Sequence, residues 1–375
     1  MRRMGRVVIA GGGVAALEAA LALQDLAPEL ADVEIFAPDE EFVYRPLAVA
    51  EPFLAGEVRR FPLEPLVEGA GARLRRTRVT ALDPGARLVV TEEGTVPYDA
   101  VLLALGARSS EAVTGSLTFR GPQDSQALAG LLDDALAGEV RQIVFAVPAG
   151  VTWPLPLYEL ALLTRETLID RGALNVTVTV VTPEEAPLGI FGTPGSAAVR
   201  ELLEARGIGL RTHVTPLSFE DGVLRLAPEG RIEADRVVAS PRLQGPALPG
   251  VTADWHGFVP TDEHGRVGSE VDVYAAGDLT QFPIKQGGIA TQQADAAAQA
   301  IAAQLGARIE PEPFRPVLRG LLLTGTVPRY LRAETGTARA AVDTEPLWWP
   351  PDKIVGHYLA PFLAQRLGLV EHSLA

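Results

Sequence analysis

One short stretch gathers most of the residues able to do chemistry: a carboxylate at Asp278, an ammonium at Lys285, and the glycine pair Gly287-Gly288 ahead of an alanine-rich run. Gly277 has no Cβ, so backbone can approach a ligand closely there. Asp278 then offers a carboxylate to hydroxyl donors. Gly287, Gly288 and Ile289, preceded by Gln286, are expected to present unpaired N–H groups at a helix N-terminus, where partial positive charge favours an anion. A carboxylate for a polyol chain and a helix end for developing negative charge together suit a flavin. Asp278 would take the ribityl chain and the helix the N1–C2=O edge. Lys285 is the candidate for adding charge or donating a proton. An ordinary strand–turn–helix is the alternative.

These residues need elements to hold them. Val271 to Ala275 reads as a strand, Ala276-Gly277-Asp278 as a tight turn, and Gly287 to Ala303 as a long helix. Near the start of the chain, Arg6 to Ala10 reads as a strand, Gly11, Gly12 and Gly13 as a turn, and Val14 to Leu26 as a helix. The run fits G-x-G-x-x-A. Gly11 permits the sharp turn, Gly13 lets a pyrophosphate reach the helix N-terminus, and Ala16 is small enough for close helix–strand packing.

The two segments together resemble the two FAD motifs of the pyridine nucleotide-disulfide oxidoreductase superfamily, with its glutathione reductase-like proteins and type II NADH dehydrogenases. The run PIKQGGIATQQAD is most similar to the sulfide:quinone oxidoreductases and their flavocytochrome c relatives. The resemblance implies an α/β fold with two Rossmann-like domains. It also implies that Arg45, in the run EFVYRPLAVAEPF, meets the pyrophosphate, with Pro46 fixing the loop beside the flavin. Val79, where a strand read over Arg73 to Pro84 leaves, would touch adenine through its backbone. Ala104 and Gly106, in YDAVLLALGAR, would close the first half of the FAD site, with Leu105 in place of the usual Thr. Val33 to Phe36 should end in an acid for the adenosine ribose. Ala37 stands there instead, leaving Asp39 or Glu40 to substitute.

A second Rossmann-like unit opens at Gln142 to Val147. A site for NAD(P)H needs another glycine turn, and the chain reads PAGVTWPLPLYELAL. Trp153 brings an indole where a pyrophosphate should approach, and Pro154 and Pro156 lack N–H donors. In the resembling family a Pro-rich segment ending Pro-x-Tyr-Glu carries a redox cysteine. Leu155 to Glu159 matches it locally, with Trp153 near the cysteine's place. The domains read as 1–115 with 245–325 for FAD, 116–244 for the degenerate nucleotide unit, and 326–375 as a C-terminal segment.

Composition narrows the classes further. The 375 residues suffice for two or three domains with a sizeable core, and the net charge of −14 disfavours duplex binding. With no cysteine, disulfides, thiolate metal sites and a persulfide relay are excluded. The five histidines show no metal-ligand spacing. Of 33 basic residues only Lys285 and Lys353 are lysine. Such survivors either mark places that need a compact ammonium or fall there by chance.

After a strand read over Val317 to Gly325, the segment from Pro346 carries apolar residues at helical spacing, Ile354, Val355, Tyr358, Leu359, Phe362, Leu363 and Leu367. Pro361 is expected to kink or divide this helix. Two readings stand for its apolar face. It packs on the chain's own FAD domain or a second subunit, or it forms an interfacial, quinone-receiving surface with Trp348 and Trp349 at headgroup level. The expected setting is cytoplasmic, with peripheral contact at the inner membrane face on the second reading.

The expected function is an FAD-dependent oxidoreductase that moves two electrons from a small donor to a quinone-like acceptor without a cysteine relay. Two other readings stand beside it: a type II NADH dehydrogenase-like enzyme, and a flavin-binding sensor or scaffold without turnover.

Overall fold

The computed structural model describes residues 3–268, 270 and 272–369. Its α-helices are α1 (Val14–Leu26), α2 (Leu63–Gly69), α3 (Ser125–Leu136), α4 (Leu155–Asp170), α5 (Gly192–Ala205), α6 (Gly287–Leu305) and α7 (Leu359–Arg366).

Gly5–Ala10 ends in the run VVIA, fully buried from Val7 to Ala10. A strand apolar on both faces belongs inside a parallel sheet covered on both sides. It is the middle of five parallel strands, in the order Val273–Ala275, Ala100–Leu103, Gly5–Ala10, Ala31–Phe36, Arg73–Arg75. Ile9 lies opposite Ile35 on one side and Leu102 on the other. Alanines let α1 and α6 approach each other closely over one face, with Ala15, Ala16 and Ala19 in one core with Ala290, Ala294 and Ala297. An antiparallel sheet of Val79–Asp83, Leu88–Thr91 and Gly94–Pro97 covers the other face. Arg73 to Pro84 is therefore not one strand. Its two halves join different sheets, because the chain must leave the parallel sheet to cover it. Val271, the expected strand start, lies outside the described residues.

The same plan recurs in the second unit, ordered Leu117–Thr118, Arg236–Ala239, Gln142–Ala146, Thr177–Val181, Gly209–Arg211, all parallel. The two units are linked by a short antiparallel pair, Arg108–Ser110 with Arg242–Gln244. Arg45–Val49 forms a 3₁₀ turn between the cores: Tyr44, just before it, is buried in the first, and Ala48 and Val49 in the second. Val317–Leu322, Arg329–Glu334 and Ala340–Asp343 make a separate antiparallel sheet.

The C-terminal arm departs from the sequence reading. Only Leu359–Arg366 is helical, and Ile354 and Val355 lie outside that helix. Pro361 stands in the first turn of α7, where its missing N–H has no intrahelical partner to lose, so it divides nothing. Leu359 and Leu363 are buried in the first unit's own core. Trp348 is 6% exposed, packed against Tyr330 and Val355, which removes it from any headgroup-level position. No helix among the described residues is long and apolar enough to cross a membrane.

Candidate cofactor site

At the end of the central strand the chain turns at Gly11, whose φ is +122°. A Cβ there would fall 2.3 Å from the Ala104 carbonyl oxygen, so only glycine lets the turn sit against the neighbouring strand end. Gly12 lies under Ala37, whose Cβ would stand 3.0 Å from a Cβ at Gly12. A larger residue at position 37 would crowd this turn, which is a local reason for the missing ribose acid. Glu40 faces Arg76 at 3.5 Å, and Asp39 is exposed. Gly13 is the N-cap of α1, and a Cβ on it would meet nothing within 4 Å. Open space therefore fronts the first N–H groups of α1, which have no intrahelical partner. Ala16 is fully buried between helix and sheet. Gly106, at φ +67°, also faces open space. Val79 is buried in the antiparallel cover sheet, beside Phe36 and Val101 in one cluster.

Gly277, at φ +79°, sits where α1 and α6 meet, with Ala15 and Ala290 Cβ atoms 3.3 and 3.4 Å from where its own would be. Gln293 on α6 fixes this turn by accepting the Gly277 N–H at 2.8 Å. Sequence reasoning passed over Gln293, although it lies within the quoted PIKQGGIATQQAD run. Asp278 is half-buried, and its carboxylate takes no hydrogen bond among the described residues. Burial raises its acid range, while the charges of Lys285 and Arg45 pull it back. Arg45 itself is exposed, with Pro46 opening the 3₁₀ turn behind it. Lys285 donates to the Thr280 carbonyl and lies 3.8 Å from the centre of the Phe258 ring. Burial lowers the Lys285 ammonium to about 8, opposed by Asp278 and Asp254.

The start of α6 corrects one expectation. The Ile289 N–H is not free: Gln286 caps the helix and its Oε1 accepts that N–H at 2.8 Å. Gln286 Nε2 in turn donates to the Arg319 carbonyl at 3.1 Å. The glycine pair has a packing reason as well. A Cβ on Gly287 would fall 2.8 Å from Ile354, and one on Gly288 would fall 3.3 Å from the Val355 carbonyl oxygen. The C-terminal arm thus lies across this helix end.

Three side-chain ties hold the arm, and sequence reading found none of them as a pair. Asp352 accepts from Tyr44 Oη at 2.9 Å and pairs with Arg59. Lys353, 7% exposed, is bonded to the fully buried Glu159 of α4, which also accepts the Leu323 N–H at 2.8 Å. Glu18 of α1 accepts the N–H groups of Tyr358 and Leu359. The scarcity of lysine was the available signal for Lys353.

At the second unit's turn Gly150 is exposed, and a Cβ on it would meet nothing within 4 Å. Trp153 packs edge-on against Phe191, ring centres 5.6 Å apart, and Thr152 donates to the Pro283 carbonyl. At the start of α4 the Leu157 N–H already bonds the Pro154 carbonyl at 2.9 Å. Glu184 follows the strand Thr177–Val181, where a dinucleotide fold places its ribose acid. Here it accepts from Tyr158 Oη at 2.7 Å and Thr182 Oγ1 at 2.9 Å. No group of three or more potential metal ligands is found among the described residues.

The chain belongs to the pyridine nucleotide-disulphide oxidoreductase family, whose model matches residues 5–150 and 158–300. Among curated proteins, the sulfide-quinone reductase of Aquifex aeolicus (strain VF5) is 30% identical over 212 residues, 53% of this chain and 47% of that protein. The match thus spans about half the length of that relative. Among solved structures, the sulfide:quinone oxidoreductase of Aquifex aeolicus superposes with a TM-score of 0.82 at 20% identity, over 90% of this chain and 86% of its own. The ferredoxin reductase for the CYP199A2 system of Rhodopseudomonas palustris gives 0.65 at 19% identity, over 88% and 83%. These likenesses carry the fold.

Proposed function

We propose that this chain is an FAD-dependent oxidoreductase that passes two electrons from a small donor to a quinone-like acceptor, without a cysteine relay. The observation that carries the reading is the pairing of an open glycine turn at Gly13 with the unpartnered Asp278 carboxylate, both against the α1–α6 crossing. These residues fit the group. The first turn of α1 would hold the pyrophosphate with Arg45, and Asp278 a ribityl hydroxyl. The Gly287 and Gly288 end of α6 would face the N1–C2=O edge. When bound, the flavin supplies the two-electron chemistry; the protein supplies orientation and charge.

Lys285 is the proton and charge source in this reading. Its ammonium is retained below about pH 8 and lost above. Anaerobic reduction by the identified donor is therefore expected to slow as pH rises through that value. Lys285→Met should be slower by about tenfold at neutral pH, equivalent to about 1.4 kcal/mol, and should lose the inflection. An inflection unchanged in the variant would remove Lys285 from the role.

In this reading NAD(P)H is not the donor: Trp153 and Pro154 stand at the second unit's turn, and Glu184, at the place of the ribose acid, is engaged by Tyr158. Losing several charge-assisted bonds at about 1.5–3 kcal/mol each moves binding from micromolar to worse than millimolar. An anaerobic donor screen, following the oxidised flavin band, tests the whole reading. NADH and NADPH should reduce slowly and without saturation. Saturable reduction at micromolar NADH or NADPH would favour the dehydrogenase reading instead, and no reduction by any donor the sensor reading.

A further inference from the structure

We propose that Glu18 and Asp295 form a proton-held latch that fastens the C-terminal arm to the α1–α6 crossing, and that removing its single proton loosens the arm. Glu18 is fully buried in the middle of α1. Its Oε1 accepts the Tyr358 N–H at 2.9 Å and its Oε2 the Leu359 N–H at 2.7 Å, at the start of α7. Gly356 passes so close that a Cβ would fall 2.5 Å from Oε2. Asp295 reaches Glu18 from α6, in side-chain hydrogen-bond contact, and its own Oδ1 is shut off from solvent without a partner.

Two touching carboxylates cannot both ionise cheaply. Burial raises the Glu18 carboxyl too, but both of its oxygens accept backbone N–H groups, which pulls it back toward the charged form, whereas Asp295 has no such donors among its causes. The shared proton therefore sits on Asp295, where burial and the Glu18 charge hold it up to about pH 9. Among the described residues no cation acts on the pair. The other polar groups facing it are Thr291 of α6, which donates to the Val355 carbonyl at 2.7 Å, and Asp25 of α1, which accepts from Tyr358 Oη at 3.1 Å. The His357 ring lies tilted at 43° against Tyr358, centres 4.4 Å apart.

The direction of the pH effect follows from linkage. Asp295 has an ordinary value of 3.8 when free and a raised one when latched. Its contribution to closure is complete below the free value, declines as pH rises, and is lost through about 9. Opening would withdraw Ile354 and Val355 from the glycine pair at the start of α6, whatever ligand lies beyond it.

Hydrogen–deuterium exchange on the full chain, corrected for the intrinsic pH dependence of exchange, tests this. Between about pH 6 and pH 9.5 protection across 354–366 should fall by about tenfold or more, while the strand Gly5–Ala10 stays protected. Asp295→Asn keeps a donor toward Glu18 and carries no charge, so its arm should be protected equally at both pH values. Glu18→Gln loses one acceptor, and its arm should exchange quickly at both. A wild-type arm equally protected at both ends of the range overturns the proposal. So does Asp295→Asn that keeps the wild-type pH dependence, or loss of protection in the arm and the central strand together. Should Asp295→Asn fail to fold, the wild type and Glu18→Gln decide the question.

Discussion

Lys353→Met is expected to cost about 3–5 kcal/mol of stability at neutral pH, seen as a fall in Tm of about 5 °C. The loss comes less from the broken bond than from what it leaves behind. Glu159 is fully buried, its Oε2 has no partner, and Lys353 supplies the only opposing charge among its described neighbours. Burial already holds the Glu159 carboxyl above its ordinary range. Without the ammonium it must either stay charged in the core or take up a proton. A carboxyl with a raised native value gives stability that is fully present below its ordinary 4.5 and is lost as pH rises through the raised value. The deficit of Lys353→Met should therefore shrink as the solution is acidified toward that value. Adding Glu159→Gln should recover most of the loss, since glutamine is neutral and can still accept the Leu323 N–H. Thermal unfolding of the three proteins across pH checks this. A Lys353→Met protein as stable as wild type would show that the pair does not anchor the arm.

Asp278→Ala should weaken FAD retention by about 10- to 150-fold, the equivalent of one charge-assisted hydrogen bond at about 1.5–3 kcal/mol. The turn itself should survive, because Gln293 holds Gly277 through backbone and Thr280 bonds the Gly277 carbonyl. Loss of the Asp278 charge removes the stronger of the two nearby carboxylates that keep Lys285 protonated, so the ammonium should titrate below its present value of about 8. Asp278→Asn keeps one acceptor and should fall between. Flavin content after gel filtration and titration of FAD into stripped protein are the measurements. Wild-type protein that purifies colourless and takes up no FAD would sink the cofactor assignment; Asp278→Ala with wild-type affinity would sink only the role of the carboxylate.

Local rules were enough for much of the molecule. The glycine turn at Gly11 and Gly13, the small Ala16, the strand VVIA and the Ala-rich α6 each announce themselves through steric need or period, since turn and packing demands act on neighbours in sequence. The run of Trp153, Pro154 and Pro156 at the second turn is equally local, and its effect on nucleotide binding is part of the proposal above. Absence of cysteine alone removed the persulfide route.

What stayed hidden depends on partners far apart in the chain. Lys353 stood out by its rarity, but its place beside Glu159 required α4 and the C-terminal arm to meet across 194 residues. The apolar period from Ile354 to Leu367 suggested one helix, and packing on the start of α6 kept its first part out of the helix, in a run of bends. Ile289 looked free until the Gln286 side chain folded back over it. Nothing in the sequence singled out Glu18 within the alanine-rich α1. Only the crossing of α1, α6 and α7 brings it to Asp295 and to the Tyr358 and Leu359 N–H groups, because carboxylate pairing is set by distance in space and not in sequence.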